Sequence, residues 1–223
     1  MNASTPPTSI DPGISALQSF IIAERQHAKG VPEHAPEVQN LALQIAHNLR
    51  FQQGWTDLHV HFRVSSEGRR GSAAALPRPV ISGLPPQRLY VHPDEQIEVL
   101  QQQRREGKAG WPDLATEREW VLPSQLRESW SLRRFADVFD ALSIVPTRGD
   151  GRELFNLPGG VQADGSSSSG SVSRSESEGS SSEQEPNPWR MKHPKRLLLA
   201  TLDDDSSVVY YIVHDGIVKP RQN

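Results

Sequence analysis

Three groups of residues have types and spacing that could do chemistry. His59-Val60-His61, with Asp57 two positions earlier, would set two imidazoles and a carboxylate on one face of a strand, a start for a zinc or iron site. The plain reading of the same residues is a pair of polar positions facing solvent on an amphipathic strand, and the barrel hydrolases that use H-x-H need a longer chain. Arg190, Lys192, Lys195 and Arg196 follow Trp189 closely enough to touch RNA phosphates beside a stacking ring, or to form a solvated flank ahead of a strand. Ser173 to Glu178 and Ser180 to Glu183 place acidic residues after serines, a pattern suited to acidophilic kinases, or to a passive linker.

The elements that must position these groups are legible in part. Ile14, Leu17, Phe20 and Ile21 have helical spacing inside an otherwise flexible tail, residues 1–35. From Glu37 to Gln52, Val38, Leu41, Ala42, Ile45 and Leu49 form one apolar stripe. Leu58, Val60, Phe62 and Val64 alternate with polar neighbours as in a half-buried strand. A loop over Ser65–Pro77 precedes short strands at Pro79–Gly83 and Gln87–Val91. A helix starts near Pro93, with Asp94 and Glu95 at its positive end and Arg104 and Arg105 at its negative end. Glu119–Leu122 reads as a strand. Ser131 caps a helix whose buried face is Leu132, Phe135, Ala136, Phe139 and Leu142.

Composition sets bounds. Mean hydropathy is −0.58, low for a single globule of 223 residues. Eleven of the twenty-one residues from Gly165 to Glu185 are serine. That tract cannot bury enough apolar surface to offset its ordering entropy, so a disordered insertion is expected over 147–188. No cysteine is present, which excludes disulfides and thiolate metal sites. Met1 to Gly13 lacks the basic start and apolar core of a secretory signal, which implies an intracellular, soluble protein. A net charge of −3 argues against a chain that grips nucleic acid alone.

The C-terminus carries the clearest functional signal. Arg196–Leu202 is a nearly continuous apolar run, Asp203, Asp204 and Asp205 interrupt it, and Val208, Val209, Tyr210, Tyr211, Ile212 and Val213 follow. Such a strand must be covered on both faces, by its own helices or by another protein. The plain reading is a central strand of its own sheet; if it lies at a sheet edge instead, it invites pairing with another chain. Asp215-Gly216 then turns into a short strand at Ile217-Val218.

Tyr90-Val91-His92-Pro93-Asp94-Glu95-Gln96, Glu119-Trp120-Val121-Leu122-Pro123, the Trp130–Phe135 segment and above all Lys195–Arg221 resemble the small structural subunit of eukaryotic tRNA-splicing endonuclease, the Sen-fifteen family. The resemblance implies one tRNA-endonuclease-like α/β (α+β) domain over 36–221, a mixed sheet flanked by helices and interrupted by the serine-rich insertion. It implies a non-catalytic subunit, without cofactor or metal, that pairs side by side with a catalytic subunit through C-terminal strands, Val208 to Val213 here. It also implies a heterotetramer closed by an acidic loop, Asp203 to Asp205, entering a partner's basic groove, acting in the nucleus on introns of pre-tRNA. An isolated chain could pair with itself as a homodimer. Catalytic relatives use a Tyr, His, Lys triad in that chain order. Here His92 lies too close to Tyr90, and Tyr210 and Tyr211 follow Lys192 and Lys195, so the order fails. The alternatives are a stand-alone nuclease, an H-x-H metal hydrolase, or an adaptor whose serine tract is the working part.

Overall fold

A computed structural model describes residues 13–27, 34–65, 73–108, 110, 112, 114–155 and 187–216. The expected strand at Ile217-Val218, the kinase-site serines and most of the expected insertion lie outside these residues.

The apolar stripe of the second helix decides the main core. Helix α2 (Pro36–Phe51) has Pro36 in its first turn, where no amide hydrogen is needed, and buries Leu41, Ala42, Ile45 and Leu49. These pack on Leu58, Val60, Ile81, Val121, Leu198 and Ala200 of the sheet. Helix α1 (Ala16–His27) packs on α2, and its Phe20 stacks on Phe155 with ring centroids 4.5 Å apart. The buried Glu24 pairs with Arg152. The folded unit therefore begins ahead of residue 36, within the segment expected as a flexible tail.

The sheet has six strands in the order β4-β1-β2-β3-β5-β6. They are β1 (Thr56–Ser65), β2 (Ala73–Leu84), β3 (Glu119–Gln125), β4 (Arg152–Glu153), β5 (Arg196–Leu202) and β6 (Val208–His214). Only β3 and β5 run parallel, so the sheet is mixed and the fold α+β, as expected. Helix α3 (Pro93–Arg105) is capped by His92, whose Nδ1 accepts the Asp94 amide hydrogen. Helix α4 (Leu132–Ala141) lies on the face opposite α2, and the short helix α5 (Pro188–Lys192) precedes β5.

Several expectations are corrected. Residues 65–77 are not all loop, because β2 already pairs with β1 from Ala73. The pairing register shifts between His61 and Arg63, opposite Leu76-Pro77-Arg78-Pro79. Prolines cannot donate to a ladder, so the strand continues past them only by dropping those bonds. Residues 87–91 form no strand. Residues 147–155, assigned to the insertion, contain β4, which pairs with β1. On α4, Val138, Phe139 and Leu142 are buried, whereas Leu132 is 89 % exposed and Ala136 is also exposed. Phe135 is half-buried against that core and stacks on Trp130, so only the first turn of the helix, at Leu132, stands clear of it.

Candidate assembly edge and aromatic cleft

Strand β6 closes one side of the sheet and, among the described residues, pairs with β5 alone. Its direction and register follow from the hairpin that starts it. Asp203 donates its amide hydrogen to the Ser207 carbonyl at 2.9 Å, and Ser206 adopts φ +68°, the left-handed position of a three-residue hairpin loop. At the far end the Asp215 amide hydrogen reaches the Lys195 carbonyl at 2.8 Å. Antiparallel ladders alternate bonded and non-bonded pairs. Ser207, Val209, Tyr211, Val213 and Asp215 thus turn their backbone groups toward β5. Val208, Tyr210, Ile212 and His214 turn theirs to the open edge.

The side chains divide by face. Val208 and Tyr210 pack against the α2 core, and the Tyr210 hydroxyl donates to Asn48 Oδ1 at 2.6 Å. Burial pushes the Tyr210 phenol pKa up. Val213 packs against the α4 core. Val209, Tyr211 and Ile212 remain 44 %, 51 % and 41 % exposed. The strand is thus apolar on both faces, yet its outer half meets solvent.

The loop ahead of it is preset by its own side chains. Asp203 Oδ1 accepts the Asp204 amide hydrogen and Asp205 Oδ1 accepts that of Ser207, at 2.7 and 2.8 Å. Those bonds from Ser207 hold the Asp205 carboxyl below the usual range. Asp204 pairs with Arg127 at 2.8 Å, both exposed. The fixed turn leaves Asp204 and Asp205 exposed and Asp203 half-buried.

The basic residues expected to touch RNA do not form one patch. Arg190 and Arg196 are buried, and both reach Glu119, at 2.8 and 2.5 Å. Arg196 also meets Glu117 at 2.8 Å, and Arg88 bridges Glu117 and Glu95. Three guanidiniums and three carboxylates balance in this network, which joins α3, β3, α5 and β5. The Lys195 ammonium donates to the Phe139 carbonyl. Lys192 remains exposed, 5.4 Å above the Trp189 ring. Sequence reasoning saw the cations and missed their partners. Glu117 and Glu119 were the available signal, since carboxylates at the mouth of an apolar strand need a counter-charge.

Beside the network is a cleft of about 290 Å³. Trp189, His193 and His92 lie nearly parallel on one side, with His92 and His193 stacked at 3.6 Å. Tyr90 meets His214 edge-on at 5.1 Å. Burial, then the neighbouring His92, lowers the His193 pKa.

His59 and His61 are not solvent-facing; both are buried. Their strand face is covered by Trp120, which meets His61 edge-on at 4.8 Å, and by Gly151. A Cβ at Gly151 would come within 2.6 Å of the His61 ring. His61 Nε2 hydrogen-bonds Ser82 Oγ at 2.8 Å, and burial pushes its pKa down to about 3. The Arg118 guanidinium lies 3.0 Å from His59 Nδ1 and pairs with Asp57. A fixed cation there opposes a metal ion, and among the described residues no three ligating side chains converge on one.

A family model described as "Sen15 protein" matches residues 44–154 and 177–223, more than half of the chain. The chain belongs to the Sen15 family. It is also 38 % identical over 189 residues to a Neurospora crassa protein described as "Probable tRNA-splicing endonuclease subunit tsp-1", covering 83 % of this chain and 67 % of that relative. No solved structure matches. The Sen15 match leaves out 155–176, where the serine-rich tract begins, and includes the whole of the β5–β6 hairpin.

Proposed function

We propose that this chain is a non-catalytic structural subunit of a tRNA-splicing endonuclease, which pairs along β6 with a catalytic subunit and so takes part in intron removal from pre-tRNA. The observation that carries the reading is the open edge of β6. Among the described residues nothing pairs with its backbone groups at Val208, Tyr210, Ile212 and His214, and it exposes apolar side chains at Val209, Tyr211 and Ile212. Soluble monomers blunt such edges with charge or proline, and this one has neither between Val208 and Val213. The family membership and the relative's description support the same assignment.

The second contact is the displayed acidic loop, Asp203 to Asp205, entering a basic groove on another subunit to complete a heterotetramer. The assembly acts in the nucleus. Three features support catalytic silence: the Tyr210 hydroxyl is tied to Asn48, Lys195 to a backbone carbonyl, and the Tyr, His, Lys order fails. Alone, the chain uses the same edge to form a homodimer.

The test is Tyr211→Glu, which places a charge on the exposed outer strand without touching the Tyr210–Asn48 bond. It should abolish co-purification with the catalytic subunit while the circular dichroism of the chain is unchanged. Retained co-purification would remove the strand-pairing mechanism. The purified chain should leave intron-containing pre-tRNA intact, with or without chelator; cleavage would make it a nuclease.

A further inference from the structure

We propose that the cleft between the Trp189–His193–His92 array and the Tyr90–His214 pair binds one unpaired nucleobase of an RNA strand. This is independent of the assembly reading, which places no ligand in the cleft.

The rings form the argument. Trp189 is parallel to His193 within 7° and to His92 within 11°, and the two imidazoles are parallel within 15°. All three are only half-buried and line the opening together, with the two imidazoles stacked on one another at 3.6 Å and Trp189 set beside them. His92 accepts the Asp94 amide hydrogen through Nδ1, which fixes the orientation of this ring. Aromatic faces in a parallel array are the stacking platform that single-stranded nucleic acid uses, because every base has a π-face.

Size and charge narrow the ligand. At about 290 Å³ the cleft is at the small end of ligand sites, which span roughly 300–1,000 Å³, and suits one planar heterocycle. The guanidiniums on its wall, Arg88, Arg190 and Arg196, already face Glu95, Glu117 and Glu119. They offer little to a phosphate. Lys192, exposed over the Trp189 ring, is a nearby cation for the phosphate of a base stacked inside.

Isotope-labelled full chain, followed by the Trp189 indole N–H signal, tests this. The signal is identified by its loss in Trp189→Phe. Adenosine 5′-monophosphate and a single-stranded oligoadenylate should shift it, and ribose 5-phosphate should not. His193→Ala should weaken the oligoadenylate effect about tenfold, within the loss seen for removing one stacking ring. Unchanged signals from the other tryptophans report that this variant is folded. A Trp189 signal unmoved by millimolar nucleotide overturns the proposal. Equal movement with ribose 5-phosphate makes the site a phosphate site and overturns it too. So does a shift produced by the catalytic subunit in place of nucleotide, which makes the cleft a protein interface. His193→Ala should still co-purify with that subunit, so the two readings fail separately.

Discussion

Proline at position 212 should weaken partner binding and leave the chain folded, whereas proline at 211 should damage the chain itself. The Ile212 amide hydrogen points to the open edge, so its loss removes no bond within the sheet, and edge positions of this kind tolerate proline. The Tyr211 amide hydrogen points to Leu199, its register partner on β5. Removing it leaves a strand carbonyl unpaired at a cost of about 1–3 kcal/mol, before any ring clash. In the complex the same arithmetic applies to Ile212. The partner's carbonyl loses its donor, and about 1–3 kcal/mol is about 5- to 150-fold in Kd. Ile212→Ala removes the side chain and keeps the amide, so the proline-to-alanine difference isolates the backbone bond. Affinity would be read by calorimetry against the purified catalytic subunit, and stability by urea denaturation of each variant alone. If Ile212→Pro binds as tightly as Ile212→Ala, the edge is not used for pairing, and the partner must sit on a face of the sheet.

Two further expectations concern the buried polar groups. Glu119→Ala leaves Arg190 and Arg196 buried with too little counter-charge and should lower stability by about 3–5 kcal/mol, visible as a reduced urea midpoint. Lys192→Ala in the same region should change it little. His61 is neutral when folded because burial holds its pKa near 3, against 6.5 for an ordinary histidine. Between these values only the unfolded chain takes up the proton, so this stability is present above pH 6.5 and falls as pH drops toward 3. The loss by pH 5 is about 2 kcal/mol, and it should disappear from the urea-derived pH profile of His61→Phe, provided that variant folds.

Local pattern was enough wherever an element faces only one environment. The stripe from Val38 to Leu49 gave α2, the charges at both ends of residues 93–105 gave α3, and the two apolar runs around three aspartates gave the β5–β6 hairpin. The all-apolar strand was equally readable, because covering both faces follows from side-chain alternation alone. That the strand lies at the edge of the sheet and not at its centre came only from the strand order.

What the sequence could not decide was which neighbour each side chain meets. His59 and His61 read as wet because polar residues alternate with apolar ones, yet that face is covered, with Trp120 from β3 and the Gly151 backbone against His61. Leu132 read as buried by its spacing, yet its end of α4 overhangs the sheet. Arg190 and Arg196 read as ligand-facing because their carboxylates are some 70 residues away in the chain. Periodicity fixes the direction of a side chain relative to its own element. Strand order and layer placement, which depend on contacts distant in sequence, decide whether that direction holds water, a counter-charge, a stacked ring or an open edge.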